Sequence, residues 1–282
     1  MERTVIESVG TFACRCAAAA LLVRFCCVSA SAAPRSLEFD LRDSDYYFQV
    51  PRGVVGPWKS EKLDLASASD VDLLTLHAVT TNRLGAGGGH GEFLRIEDDR
   101  RFGTTQVRLA VGTGAGVLGQ RTVTLGVAQS LDRRRRVRLT AGIDLTSFSP
   151  ATFQRVVGVG PEVALGATQL SARYFHASTT NGAIVAPASG TVAFSFPAIR
   201  AVRLTASAFF GGEVNSDRTS SFLPTSSGRY GTDLALGARA ALASNIALFS
   251  AYEGGVFRVA PAGGLSRVQH VVTLGVGYLP IR

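Results

Sequence analysis

From Asp70 onward, apolar side chains recur at every second position, segment after segment. In VRLTAGIDLTSF, residues 137–148, Val137, Leu139, Ala141, Ile143 and Leu145 alternate with Arg138, Thr140, Gly142, Asp144 and Thr146. Successive side chains of an extended chain point to opposite faces, so each such segment reads as a strand with one apolar face and one face of Gly, Thr and charge. Turn residues divide the alternation into predicted strands near 70–82, 91–98, 104–116, 120–131, 136–148, 152–165, 168–178, 190–197, 200–211, 231–243, 245–258 and 266–280. That is about twelve. Several exceed the ~5–6 residues of a typical globular strand and approach the ~9–11 of a tilted membrane strand.

Connection lengths point the same way. Reading back from the end, Pro261-Ala262-Gly263-Gly264 is a medium loop, Ser244-Asn245 a tight turn, and GGEVNSDRTSSFLPTSSGRYG a long loop. Pro197-Ala198-Ile199-Arg200 is then short, TTNGAIVAPASG long and Gly166-Ala167-Thr168 short. Short turns at one end and longer loops at the other are the habit of outer-membrane barrels. The predicted fold is therefore all-β: a transmembrane antiparallel up-and-down β-barrel over residues 70–282, with both ends on the periplasmic side. Residues 33–69 are either an N-terminal extension or its first strands. A secreted, soluble β-sandwich that binds a ligand in its long loops is the alternative, since it would bury the same apolar faces in a core.

Composition narrows this further. The chain is 46% hydrophobic with a mean hydropathy of +0.21, yet after residue 34 no apolar run reaches the ~18–20 residues of a spanning helix. Dispersed hydrophobicity with 31 Gly fits many strands and tight turns. All four cysteines (Cys14, Cys16, Cys26 and Cys27) lie in the first 27 residues, inside FACRCAAAALLVRFCCVSASAAP. Ala30-Ser31-Ala32 matches the small-residue rule for cleavage before Ala33, so residues 1–32 read as a secretory signal peptide and the expected location is the outer membrane. Cleavage there would leave no Cys, excluding a disulfide framework, thiol catalysis and thiolate metal sites. The net charge of +8 and pI near 9.8 are compatible with nucleic acid, but export removes the chain from it.

The ending LSRVQHVVTLGVGYLPIR, preceded by NIALFSAYEGGVF, resembles the terminal hairpin of bacterial outer-membrane barrels. VGVGPEVALGATQLSARYFHAST is similar to repeats of the YaiO-like outer-membrane barrel family. The resemblance covers the last two-thirds of the chain. It implies a signal peptide, a barrel near twelve strands, insertion by the barrel-assembly machinery and no established chemistry. Members usually end in an aromatic residue, whereas this chain ends Leu279-Pro280-Ile281-Arg282.

Parity along the strands puts Arg108, Asp144, Arg173, Arg203, Asp233 and Arg239 on the lumen side, where charges of both signs can pair or line water. A structural or narrow-pore role follows, with lumen charges setting what passes; lipid, lipopolysaccharide and the assembly machinery are the expected partners. No cofactor and no evident catalytic chemistry are expected. One alternative is a lipid hydrolase. His176 and Ser178, two apart on a strand, share the row of Leu170, Ala172 and Tyr174, and His176-Ala177-Ser178 is similar to the His-x-Ser motif of lipid A deacylases, with His176 as base and Ser178 as nucleophile. Thr179-Thr180 before Asn181 and the distance from the C-terminus depart from that family, and no acidic orienter is identified.

LGAGGGHG, residues 84–91, lacks the Lys-Ser/Thr and helix of a phosphate loop and reads as a flexible loop. His77, His90, His176 and His270 have no metal-ligand spacing. Asp132-Arg133-Arg134-Arg135-Arg136 reads as a turn on the periplasmic side. Phe148, Tyr174, Phe210, Tyr252, Phe257 and Tyr278 are the candidates for an aromatic girdle.

Overall fold

In the computed structural model, residues 36–50, 53–83, 89–116, 119–148, 152–179, 186–199, 201–212, 229–243, 245–259 and 265–278 are described. They form fourteen strands: β1 (Ser36–Val50), β2 (Gly53–Ala68), β3 (Asp72–Arg83), β4 (Gly89–Phe102), β5 (Thr105–Gly116), β6 (Gln120–Ser130), β7 (Val137–Phe148), β8 (Thr152–Leu165), β9 (Thr168–Thr179), β10 (Ala186–Ile199), β11 (Val202–Gly212), β12 (Arg229–Ala241), β13 (Ile246–Val259) and β14 (Leu265–Tyr278). Each pairs antiparallel with its neighbours, and β14 pairs with β1, so the sheet closes and no edge is left. The strand number is thus fourteen, not about twelve.

The two additional strands occupy part of the segment 33–69. Their alternation was obscured because Asp43 and Asp45 of β1, and Lys59 and Glu61 of β2, stand on the face that is apolar elsewhere. Pairing of β1 with β14 and of β2 with β3 sets the register there in spite of them.

Directly opposed residues of an antiparallel pair share a face, so the register can be followed around the wall. One outward row runs Ile199, Val202, Ala240, Leu248, Val276, Leu41, Leu63, Ala78, Leu94 across nine successive strands, without a polar residue. On β7, Leu139 is 46% exposed on the outside, while Thr140 is 7% exposed on the inside. The greasy face of VRLTAGIDLTSF is therefore the outer wall, and its charged face looks into a lumen. Strands of 11–16 residues meet or exceed the ~9–11 needed to cross hydrocarbon at a tilt.

Some outward aromatics stand toward the two rims, while Tyr252 lies at the middle of β13, opposite Leu236. Phe39 and Tyr278 oppose one another near the end where β1 starts and β14 finishes, called here the proximal end. Tyr174 and Phe210 flank Gly190 toward the other, distal end, and a Cβ on Gly190 would stand 2.6 Å from the Phe210 ring. Phe257 is not in this girdle: it points inward and is 1% exposed. The side chain of Phe148 lies outside the described residues. No described helix is long and apolar enough to cross a membrane.

Candidate functional site: the lumen

Three zones follow one another along the barrel axis. At the proximal end is a vestibule of about 810 Å³. Its wall carries Arg42, Arg101, Arg135, Arg136, Arg138, Arg203 and Arg239 against only Glu162 and Glu253; the inward residues between them are largely Ser, Thr, Ala and Gly. Two of these arginines come from the tetra-arginine turn between β6 and β7. Asp132 organises that turn: its Oδ1 accepts the Val137 amide at 2.9 Å, its Oδ2 lies 3.4 Å from Arg136 Nε, and its carbonyl accepts the Arg135 amide at 3.0 Å. Arg135 takes the left-handed conformation, φ 55°, that such a tight reversal demands. The Val137 amide, with Arg136 adding to it, holds the Asp132 carboxyl below the ordinary aspartate range.

The middle zone is a cavity of about 460 Å³ that shares Arg138, Glu162, Ser207 and Glu253 with the vestibule. Here acids outnumber bases: Asp99, Asp144, Glu162, Asp233 and Glu253 against Arg108, Arg138 and Arg173. Arg108 donates twice to Asp99, from Nε and Nη2 at 3.1 Å each, and its Nε also lies 3.1 Å from Glu97. Glu162 accepts from Arg138 on one oxygen and from Arg173 at 2.9 Å on the other. Asp144 accepts from Thr124 at 2.6 Å, and Glu253 from Gln269 at 2.8 Å. Such charge-assisted contacts hold long side chains against the wall and keep the cavity open.

The distal zone is apolar. Val156, Phe175, Ala177, Phe209 and Phe257, from β8, β9, β11 and β13, are buried in one cluster, and Phe175 and Phe209 also stand in the wall of the middle cavity. Rings fit inside because inward glycines lie beneath them. A Cβ on Gly158 would be 2.9 Å from the Phe175 ring, and one on Gly255 2.8 Å from that of Phe257.

All six charges placed on the lumen side by parity stand in these walls: Arg108, Asp144, Arg173 and Asp233 in the middle, Arg203 and Arg239 in the vestibule. His176 and Ser178 are on the outer wall, His176 exposed. Their register partners on β8 are Val157 and Arg155, neither of which can orient an imidazole as an acid would. His77 Nδ1 is 2.6 Å from Asp64, His90 Nδ1 is 2.8 Å from Asn82, and His270 Nδ1 meets the Tyr252 hydroxyl at 2.7 Å. No group of three metal-ligating side chains occurs among the described residues. Residues 1–32, the expected signal peptide with its cysteines, residues 84–88 of LGAGGGHG, and Leu279 to Arg282 lie outside the described residues. Two lumen features went unread in the sequence: the distal phenyl cluster, and Phe249, which lies between two arginines of the vestibule. The available signal was an inward Phe beside an inward Gly on the same or the adjacent strand.

No family model matches the chain, and no curated protein matches it. Among solved structures it is similar to CymD, a monoaromatic hydrocarbon channel, with 9% identity over 90% of each chain and a TM-score of 0.57. OmpT of Vibrio cholerae (13% identity, 89% of this chain and 98% of that one, TM-score 0.49) and Omp33 of Acinetobacter baumannii (7%, 86% and 98%, TM-score 0.49) are also similar. The likeness to CymD shows a shared fold, the closed antiparallel β-barrel.

Proposed function

We propose that this protein is an outer-membrane channel for small polar solutes, exported by its residues 1–32, inserted by the barrel-assembly machinery with its proximal end toward the periplasm, and surrounded by lipid and lipopolysaccharide. The observation that carries this reading is the lumen: two adjoining cavities, one lined by paired charges and one by an excess of arginines, inside a closed wall whose outer face is largely apolar. A soluble sandwich has no use for an apolar exterior with a charged interior. The distal phenyl cluster acts as an apolar constriction, of the kind that gates by excluding water. CymD's monoaromatic substrates do not carry over, because the arginine-rich vestibule here favours charged solutes. The YaiO-like kinship rests on the stretches quoted above, and fourteen strands exceed the near-twelve it implies. A purely structural barrel is the competing role.

Purified full-length protein in planar bilayers tests this. Discrete conductance steps, enlarged by Phe257→Ala, are expected. A folded, heat-modifiable barrel that conducts in neither form would leave only the structural role.

A further inference from the structure

The vestibule contains a row that parity along a single strand does not reveal. Following the register around the wall, Arg203 of β11 opposes Arg239 of β12, which opposes Phe249 of β13; Phe249 opposes Gly275 of β14, and Gly275 opposes Arg42 of β1. All lie on the inward face, at one height. Arg239 and Arg42 reach toward Phe249 from either side, their guanidinium carbons 4.8 and 4.9 Å from the ring centroid. Gly275 makes this possible: a Cβ there would stand 2.9 Å from Arg42 Cγ and 2.6 Å from a backbone carbonyl, so any larger residue would displace the arginine.

Stacking on an aromatic face uses the plane of a guanidinium and leaves its N–H edge for another partner. Among the described residues, those edges are short of acceptors. Arg239 Nη2 and Arg42 Nε are buried and have no hydrogen-bond partner, and Arg42 has one contact with Asp40, at 3.4 Å. Arg203 is satisfied by Ser195 and the Ala167 carbonyl rather than by an acid. Like charges placed directly opposite one another, as Arg203 and Arg239 are, destabilise a sheet unless something of opposite sign lies between them. The middle cavity is different: every arginine there has its carboxylate.

We propose that Arg42 and Arg239, spread on either side of Phe249, form a binding site for a small oxyanion, the carboxylate or phosphate group of a solute entering the vestibule. The anion accepts from the guanidinium N–H groups that Arg239 and Arg42 present to the vestibule, with Arg203 supplying further positive potential. The site deepens the channel reading and rests on it only in requiring a water-filled lumen; binding does not require passage.

The full-length protein, refolded in detergent at low salt, is titrated with sodium acetate and, separately, inorganic phosphate, with calorimetry as the readout. Binding of at least one is expected, weakened about tenfold or more by Arg239→Gln and by Gly275→Ala, which leaves both arginines in the chain but moves one. Lys59→Gln, which removes an outer-wall cation, should bind as the wild type does. Heat-modifiability on a denaturing gel verifies that each variant is folded. Acetate binding alone assigns the site to carboxylates and phosphate binding alone to phosphates. Wild type that binds neither, or a folded Arg239→Gln that binds both unchanged, overturns the site. Conductance is measured on the same samples: binding without conductance keeps the site and removes the channel, whereas conductance without binding does the reverse.

Discussion

The two ends of the lumen solve opposite problems with the same wall. Distally, Phe175, Phe209 and Phe257 fill space and shed water; proximally, arginines hold space open and leave donors unsatisfied. Both ends use the same device, an inward glycine that lets a large side chain lie flat, under Phe175 at one end and beside Arg42 at the other. What differs is only which side chain lies on the glycine. The contrast shows that in a closed barrel the wall hydrogen bonds are common to every level, so lumen character can change from apolar to cationic within a few residues of one strand. On β13, Phe257 and Phe249 are eight positions apart, on the same face, one in each zone.

The largest expected effect comes from abolishing the apolar zone. Phe257→Ala removes the most buried ring of the cluster, and such truncations cost about 3–5 kcal/mol in a packed core. Cα register and wall pairing do not depend on the ring, so the barrel should still close. If the cluster is the constriction, lowering its barrier by about 1.4 kcal/mol raises passage about tenfold. Single-channel recording checks this; Phe257→Leu, which retains most of the volume, should fall between the two. An unchanged conductance with a lowered melting temperature would mean that the cluster is packing alone.

Next in size is Glu162→Gln. This carboxylate stands between Arg138 and Arg173, where the middle zone meets the vestibule. Removing one member of a buried ionic group costs about 3–5 kcal/mol, but these side chains are partly exposed, and about 1–2 kcal/mol is expected after screening. The variant extends the cationic zone toward the distal end, so the reversal potential in a salt gradient should shift toward anion selectivity. A shift toward cations would contradict the zoning.

Lumen faces were legible in the sequence because strands β5 to β13 alternate with few interruptions, and Arg108, Asp144 and Arg203 each fall between apolar neighbours. Two things were not. Strands β1 and β2 carry Asp43, Asp45, Lys59 and Glu61 on the outer face, which erases a period of two, and they are set by pairing with β14 and β3. The arginine row was invisible for another reason: parity marks Arg203 and Arg239 as inward but says nothing of Arg42 or Phe249, and their common height depends on the register of three hairpins and the closing β14–β1 pair, which no single strand encodes. Phe257 was misplaced into the girdle because Gly254 and Gly255 blur the alternation just before it. The outer-face carboxylates also give a prediction of intermediate size. Asp43 opposes Leu274 and Glu61 on the outer wall, so Asp43→Leu should stabilise the protein in lipid by about 1 kcal/mol, the modest penalty of an acid facing hydrocarbon. Denaturant unfolding from vesicles measures it; destabilisation would mean that this sector faces something other than lipid.

The smallest effect concerns acid and the rim of the vestibule. Asp132 sits in a surface turn, where the Val137 amide, and secondarily Arg136, hold its carboxyl below the usual value of about 3.9. A carboxyl whose folded value is depressed adds stability that is fully present above its unfolded value and is lost as pH falls through the folded one. The turn should therefore loosen only below about pH 4. Loosening releases Arg136 and removes the carboxyl that orders the turn carrying Arg135, both of them vestibule residues. Acidification should accordingly lower the melting temperature slightly while making the proximal mouth more anion-selective, and Asp132→Ala should show the loosened behaviour at neutral pH with no further change attributable to this turn on acidification. A wild type and an Asp132→Ala variant with parallel pH profiles would assign the acid response to other carboxylates. The distal zone has no titratable group in its buried cluster, so its conductance barrier should be the same on both sides of that pH.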